Sequence, residues 1–252
     1  MRGWLFLALV GCAQAGAPNG FGLGNHPDGG NQVTLDSPSG IDSPNQQIDA
    51  PMIDAPRADA AIDGPPQPTS ATLDENSSDT PVMNTGISCA NSSYSTAESY
   101  YRVFPLNMFG VSTAFTVNTV TFGVEYYTGP IPVSVDVGTY TGTVGGAQLT
   151  GTFTPIVSNI AVSVPNTAEG DNTVLNVPIT GVTIPAGKQL YVEIDVGDGS
   201  TGDYFYYPGA NTAGENQPSY LKASQCGDTT PADVTTLSSD PSNTIIRVTG
   251  TY

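Results

Sequence analysis

Apolar and polar side chains alternate with a period of two through much of the second half of this 252-residue chain. In "PVSVDVGTY", Val133, Val135 and Val137 fall on one face and Ser134 and Asp136 on the other. "NIAVSVP" repeats the pattern with Ile160, Val162 and Val164. "KQLYVEIDV" sets Leu190, Val192, Ile194 and Val196 against Tyr191, Glu193 and Asp195. Period two with β-branched residues predicts strands that bury one side. In "AFTVNTVTFGVEYY" the phase slips: Phe115 and Val117 give way to Val120, Phe122 and Val124. A β-bulge near Asn118–Thr119 would return both halves to the core. Further strands are expected at residues 100–106, 173–179, 204–207, 219–223 and 244–252, separated by turn-forming stretches such as "IPAGK" and "DGSTGD". No stretch carries a 3.6-residue apolar stripe. The expectation is an all-β fold, a single antiparallel β-sandwich of jelly-roll type, with eight to ten strands over residues 84–252.

Residues 12–83 have a different composition. "SPSGIDSPNQQIDAPMIDAPRADAAIDGPPQP" repeats Asp, Ala and Pro imperfectly, and no aromatic residue follows Phe21 in this span. Prolines oppose helices, like charges repel, and too little apolar surface is present to offset the ordering entropy. The span reads as a disordered linker. Convergence of its aspartates on one Ca²⁺ is opposed by the spaced prolines. The single histidine, His26, reads as a solvated loop residue.

At the start, Arg2 precedes a seven-residue apolar run, Trp4 to Val10, followed by small residues. This is the layout of an export signal, and it is too short to span a bilayer, which needs about 20 apolar residues. Leu9-Val10-Gly11-Cys12 resembles the lipobox of bacterial lipoproteins at all four positions. That resemblance implies a signal peptide of residues 1–11, cleavage before Cys12 and acylation (palmitate-like chains) of the new terminus, with membrane anchoring as the consequence. Ala13, in place of Asp, implies sorting to the outer membrane. The alternative is an ordinary secretory signal cut near Ala15 or Ala17, with Cys12 discarded.

The remaining cysteines are Cys89 and Cys226. In an exported protein an isolated pair reads as a disulfide, with two free thiols as the alternative. Twenty-three acidic residues against six basic ones give a net charge of −17, which argues against nucleic-acid partners. Residues 84–252 contain no histidine, so Ser-His-Asp and Cys-His machinery is absent, as are His-dependent metal sites. Carboxylate-dependent glycoside hydrolysis needs only two Asp or Glu. Glu125, Glu193, Asp195 and Asp203 are the candidates, with Glu193 and Asp195 sharing a strand face. Ca²⁺ is a weak candidate cofactor at Asp195, Asp198 and Asp203 in "DVGDGSTGD", whose spacing is not that of an EF-hand.

All twelve tyrosines lie beyond residue 93. "DYFYY" puts Tyr204 and Tyr206 on one face, where exposed rings could stack on sugars or anchor a protein. The only tryptophan, Trp4, falls in the signal, which weakens the carbohydrate reading.

Four stretches, "SYYRVFPLNMFGV", "VTFGVEYYTG", "VTIPAGKQLYVEIDVGDG" and "PSYLKASQCG", together resemble a module of uncharacterised function that recurs as an accessory domain in secreted bacterial proteins. The resemblance implies a β-sandwich and supplies no catalytic residues. The combined expectation is a non-enzymatic, membrane-anchored lipoprotein of the cell envelope, using the sandwich for adhesion or for binding a glycan or an envelope protein. The alternatives are a carboxylate-dependent glycosidase and a purely structural envelope component.

Overall fold

The computed structural model describes residues 67–168, 171–238 and 242–252. The lipobox, Cys12, His26 and most of the expected linker lie outside these residues. In chain order the strands are β1 (Ser70–Asp74), β2 (Glu98–Pro105), β3 (Phe115–Tyr127), β4 (Val133–Thr141), β5 (Thr152–Val162), β6 (Thr173–Pro178) and β7 (Thr183–Ile184). They continue with β8 (Gln189–Val196), β9 (Tyr206–Pro208), β10 (Ala210–Asn211), β11 (Tyr220–Ala223), β12 (Asp228–Asp233), β13 (Asn243–Thr244) and β14 (Ile246–Thr251). Helix among the described residues amounts to single turns, the longest being Leu106–Phe109 and Val234–Leu237.

Two antiparallel sheets carry the fold. One runs β1-β14-β3-β6, with β7 and β9 also paired to β3, and the other runs β12-β11-β2-β8-β4-β5. Eight of these strands form the two four-stranded sheets of a jelly roll, β1-β14-β3-β6 against β2-β8-β4-β5. The hairpin β11–β12 extends the second sheet beyond β2. The alternating apolar residues point between the sheets as their period requires. Val120, Phe122 and Val124 from β3 meet Val133, Val135 and Val137 from β4 and Leu190, Val192 and Ile194 from β8 in one buried cluster. The expected bulge is present: β14 pairs Thr249 with Thr119 and Gly250 with Val117, leaving Asn118 as the extra residue.

The folded body begins earlier than residue 84. β1 lies within the span read as a linker, pairs with β14 from Ser70↔Thr251 to Asp74↔Arg247, and buries Leu73 completely. Its sequence, "SATLD", has only two apolar residues, too few for the period-two pattern to stand out. What holds it is the backbone ladder and the core contact of Leu73, neither visible from composition. This strand is the first of the jelly roll, and without it β14 would present an open edge.

Charged groups also enter the core. Along β2 the inward-facing residues are Glu98, Tyr100, Arg102 and Phe104. Arg102 is fully buried and donates to Glu215, to Asn76 Oδ1 and to the carbonyls of Gln217 and Thr244, at 2.5–2.8 Å. Glu98 accepts from Ser88 Oγ (2.7 Å) and from the Cys89 backbone N–H (2.6 Å), and lies 2.8 Å from the Tyr100 hydroxyl. Those bonds position the loop that carries Cys89, which is disulfide-bonded to Cys226 with a Cα separation of 6.0 Å. The bridge closes a loop of 137 residues, worth roughly 4–5 kcal/mol in the chain-entropy treatment.

Burial pushes the Glu98 carboxyl up to about 7, against the hydrogen bonds that favour its charged form. Burial likewise pushes Glu75 up to about 7, and both its carboxyl oxygens lack hydrogen-bond partners.

Leu73→Ala is expected to cost roughly 3 kcal/mol, read as a shift in the urea midpoint. A change within error would show that β1 is dispensable. Because both carboxyls have raised native pKa values, their stabilising contribution is full below the usual carboxylate range and is lost as pH rises through about 7. Stability should therefore fall between pH 5 and pH 8, and Glu98→Gln should flatten that fall by about 3 kcal/mol. An unchanged pH profile in the variant would refute the assignment.

Candidate functional site

The outward face of the second sheet is not a plain solvent face. Tyr101 and Val103 from β2, Tyr191 from β8, Tyr140 from β4 and Tyr220 from β11 form a second buried cluster there, with Leu149. Phe153 of β5, itself half-buried, packs against it, with ring centroids 5.1 Å from Tyr101, 4.9 Å from Tyr140 and 5.0 Å from Tyr191. Gly138 makes this possible. A Cβ there would come within 2.8 Å of the Tyr191 ring and 2.2 Å of the Thr154 carbonyl oxygen.

Residues 142–151, which join β4 to β5, fold over the cluster as a strap. Val144 and Leu149 dip into the aromatic residues. The backbone N–H of Gly145 donates to the Tyr220 hydroxyl and that of Gly151 to the Tyr140 hydroxyl, both at 3.0 Å. On the far side the strap pairs with β12, with Leu149 N–H donating to the Pro231 carbonyl and Asp233 N–H to that of Ala147. Beside it runs a groove of about 360 Å³ lined by Tyr101, Thr150, Phe153, Lys222, Thr229 and Thr230 among others. A second cleft of about 560 Å³ lies where the strap meets the turn before β8, lined by Asn107, Met108, Lys188, Gln189 and Gln217 among others.

Beyond Tyr101 the same face turns acidic. Glu193 pairs with Tyr101 on one side and Asp136 on the other, while Asp195 pairs with Ser99 and Ser134. Tyr101 donates to Glu193 Oε1 at 2.6 Å, Ser99 to Asp195 Oδ1 at 2.8 Å, and the Asn159 N–H to Asp136 Oδ1 at 2.6 Å. Burial raises the Glu193 pKa, with Asp136 and Asp195 adding repulsion and the Tyr101 and Ser99 hydrogen bonds opposing. The Tyr101 hydroxyl is pushed well above its ordinary range by burial and then by the Glu193 charge.

The other residues singled out by sequence are distributed differently. Tyr206 is 1% exposed and packs on Tyr100 at 5.9 Å, so it belongs to the core and is not a ligand platform. The alternation in "DYFYY" holds, but the inward face is that of Tyr206, because β9 pairs with β3 beyond a second bulge between Val124 and Tyr126. Tyr204 is half-buried against the same core. It is Phe205 and Tyr207 that point outward, beside Tyr126, with centroids 6.2–6.5 Å apart. Glu125 is buried and accepts from the backbone N–H groups of Asn84, Thr85 and Gly86, a turn-holding role. Asp198 accepts from the Ser200 N–H, and Asp203 has a left-handed backbone (φ 55°) in the loop after β8. Among the described residues no three His, Cys, Asp or Glu side chains come together as a metal site, so Asp195, Asp198 and Asp203 do not converge. The strap and its groove have no signature in the sequence beyond the glycine spacing of "TYTGTVGGAQLTGTF".

No protein-family model matches the chain, and no curated protein does. Two solved structures are similar in part. One contains the cysteine protease and lectin-like domains of Cwp84, a surface layer associated protein of Clostridium difficile, at 16% identity and a TM-score of 0.41. The match covers 62% of this chain and 32% of that one. The other is the T13 viral particle of IBDV, at 10% identity and a TM-score of 0.25, covering 73% of this chain and 38% of that one. The chain thus matches about a third of the length of each.

Proposed function

We propose that this protein is a non-enzymatic glycan-binding β-sandwich held at the outer membrane of the cell envelope through an acylated Cys12. The observation that carries the binding role is the groove beside the strap. It has an aromatic ring, Phe153, half-exposed at its side, and hydroxyls of Thr150, Thr229 and Thr230 around it. Apolar ring faces with a few polar groups are what sugar rings require, and the surrounding tyrosines hold Phe153 in one position before a ligand arrives. The lipobox resemblance supports the anchor, and the acidic, proline-spaced segment between Cys12 and β1 would serve as the spacer.

A second reading, glycoside hydrolysis, is favoured by one observation: Asp136 stands opposite Glu193 on the strand ladder, and Glu193 has a raised pKa. Directly opposed residues have Cβ atoms about 4.5–5.5 Å apart, so the two carboxyl groups lie on one face as neighbours, and a pair of carboxyl groups is what glycoside hydrolysis requires.

A glycan array probed with the full protein and with Phe153→Ala tests the binding role. The variant should lose about tenfold in affinity for whatever the protein retains. Equal retention by the variant, or no retained glycan, would refute it. Cleavage of a retained glycan that disappears in Glu193→Gln would establish the hydrolase instead. For the anchor, Cys12→Ser is expected to move the protein from the membrane fraction to the soluble fraction, and continued sedimentation with membranes would remove the lipid assignment.

A further inference from the structure

The described residues contain four basic side chains, and they divide cleanly into two kinds. Arg102 is bonded to Glu215 and Arg247 to Asp79. Lys188 and Lys222 have no carboxylate partner among the described residues. These two line the two clefts that flank the strap, Lys188 the larger and Lys222 the smaller. Neither cleft has an Asp or Glu in its lining, and beside the Lys222 groove Glu193 is engaged by the Tyr101 hydroxyl.

The other polar side chains that line each cleft are neutral hydrogen-bonding groups. Asn107, Gln189 and Gln217 line the cleft with Lys188, and Thr150, Thr229 and Thr230 line the groove with Lys222. One ammonium among amides and hydroxyls suits a singly charged carboxylate on a ring that also bears hydroxyls. A phosphate monoester carries close to two charges near neutral pH, more than the single ammonium in each cleft balances.

The strand register sets the spacing. Lys222 pairs with Ser99, and Gln189, next to Lys188, pairs with Pro105 on the same strand, β2. Six residues along β2 span about 20 Å. β11 and β8 flank β2 on opposite sides, about 10 Å apart, so the backbones at Lys222 and Gln189 are roughly 22 Å apart. A ligand that uses both must therefore be a chain of several rings with repeated carboxylates.

Resting on the glycan-binding reading above, we infer that the ligand is a uronic-acid-containing oligosaccharide that lies along the strap, with one carboxylate at Lys222 and another at Lys188. The strap separates the two subsites, and Phe153 stacks on a ring at the Lys222 end.

The test is calorimetric titration of the full protein with oligogalacturonate and with the same oligomer after reduction of its carboxyl groups to neutral alcohols. Oligogalacturonate is expected to bind, and Lys222→Gln and Lys188→Gln should each weaken it about fivefold to tenfold, with a smaller loss at high salt. Both lysines reach solvent, so the variants should keep the wild-type melting temperature. The reduced oligomer should bind the wild type only weakly and be indifferent to either substitution, whereas Phe153→Ala should weaken both ligands. Equal binding of the acidic and reduced oligomers would overturn the carboxylate inference while leaving glycan binding intact. Preference for a sulfated oligosaccharide or for polyglutamate would overturn the ligand class. Binding of neither oligomer, together with an empty glycan array, would overturn both this inference and the reading on which it rests.

Discussion

The guanidinium of Arg102 is the constraint on which the interior depends. It sits at zero exposure on the inward face of β2 and donates to four acceptors drawn from three separate parts of the chain. Asn76 follows β1, Glu215 and Gln217 precede β11, and Thr244 ends β13, so one side chain holds together the segments that close the first sheet onto the second. Removing one member of such a buried pair typically costs about 3–5 kcal/mol, because the partner is left charged and unpaired. The arrangement also sets the electrostatics around it. Glu75 is buried near the same cation, which only partly offsets the desolvation of its carboxyl.

Strand alternation distributes the aromatic residues of β2 to both of its sides. Tyr100 and Phe104 face the main core beside Arg102, while Tyr101 and Val103 face outward under the strap. The second sheet is thus buried on both sides over part of its area. Gly138 allows the outward rings to lean together. Glycines in the strap lie close against Tyr140: a Cβ on Gly142 or Gly151 would come within 2.4–2.7 Å of its ring or hydroxyl. The clefts beside the strap are therefore framed by well-packed groups at both ends of the loop, which favours recognition without rearrangement.

Much of the sandwich was legible because period-two alternation is local. β3, β4 and β8 each bury one face, and the slip at Asn118 could be read from the order of Val117 and Val120 alone. β1 was not legible, since "SATLD" contains a single large apolar residue and its pairing partner lies at the other end of the chain. β5 was legible only in its second half. Its first half contains Pro155, which an edge strand accepts because its outer backbone groups need no partner. In "DYFYY" the alternation was correct, but alternation cannot say which face is inward. That choice came from the bulge that sets how β9 meets β3.

Residue order by itself determined the all-β class and the main strands, offered Cys89 and Cys226 as a pair, and showed the resemblance of Leu9 to Cys12 to a lipobox. These rest on local spacing, on composition or on a small number of candidates. Only the tertiary structure decided that Tyr206 is core, that Glu125 holds a turn, and that Lys188 and Lys222 line clefts with no Asp or Glu in their lining. Those facts depend on which strands become neighbours, and the jelly roll brings together residues more than a hundred positions apart. The physical reason is that a side chain's environment is set by the adjacent strand and the covering loop, while its own strand specifies only that successive residues face opposite ways.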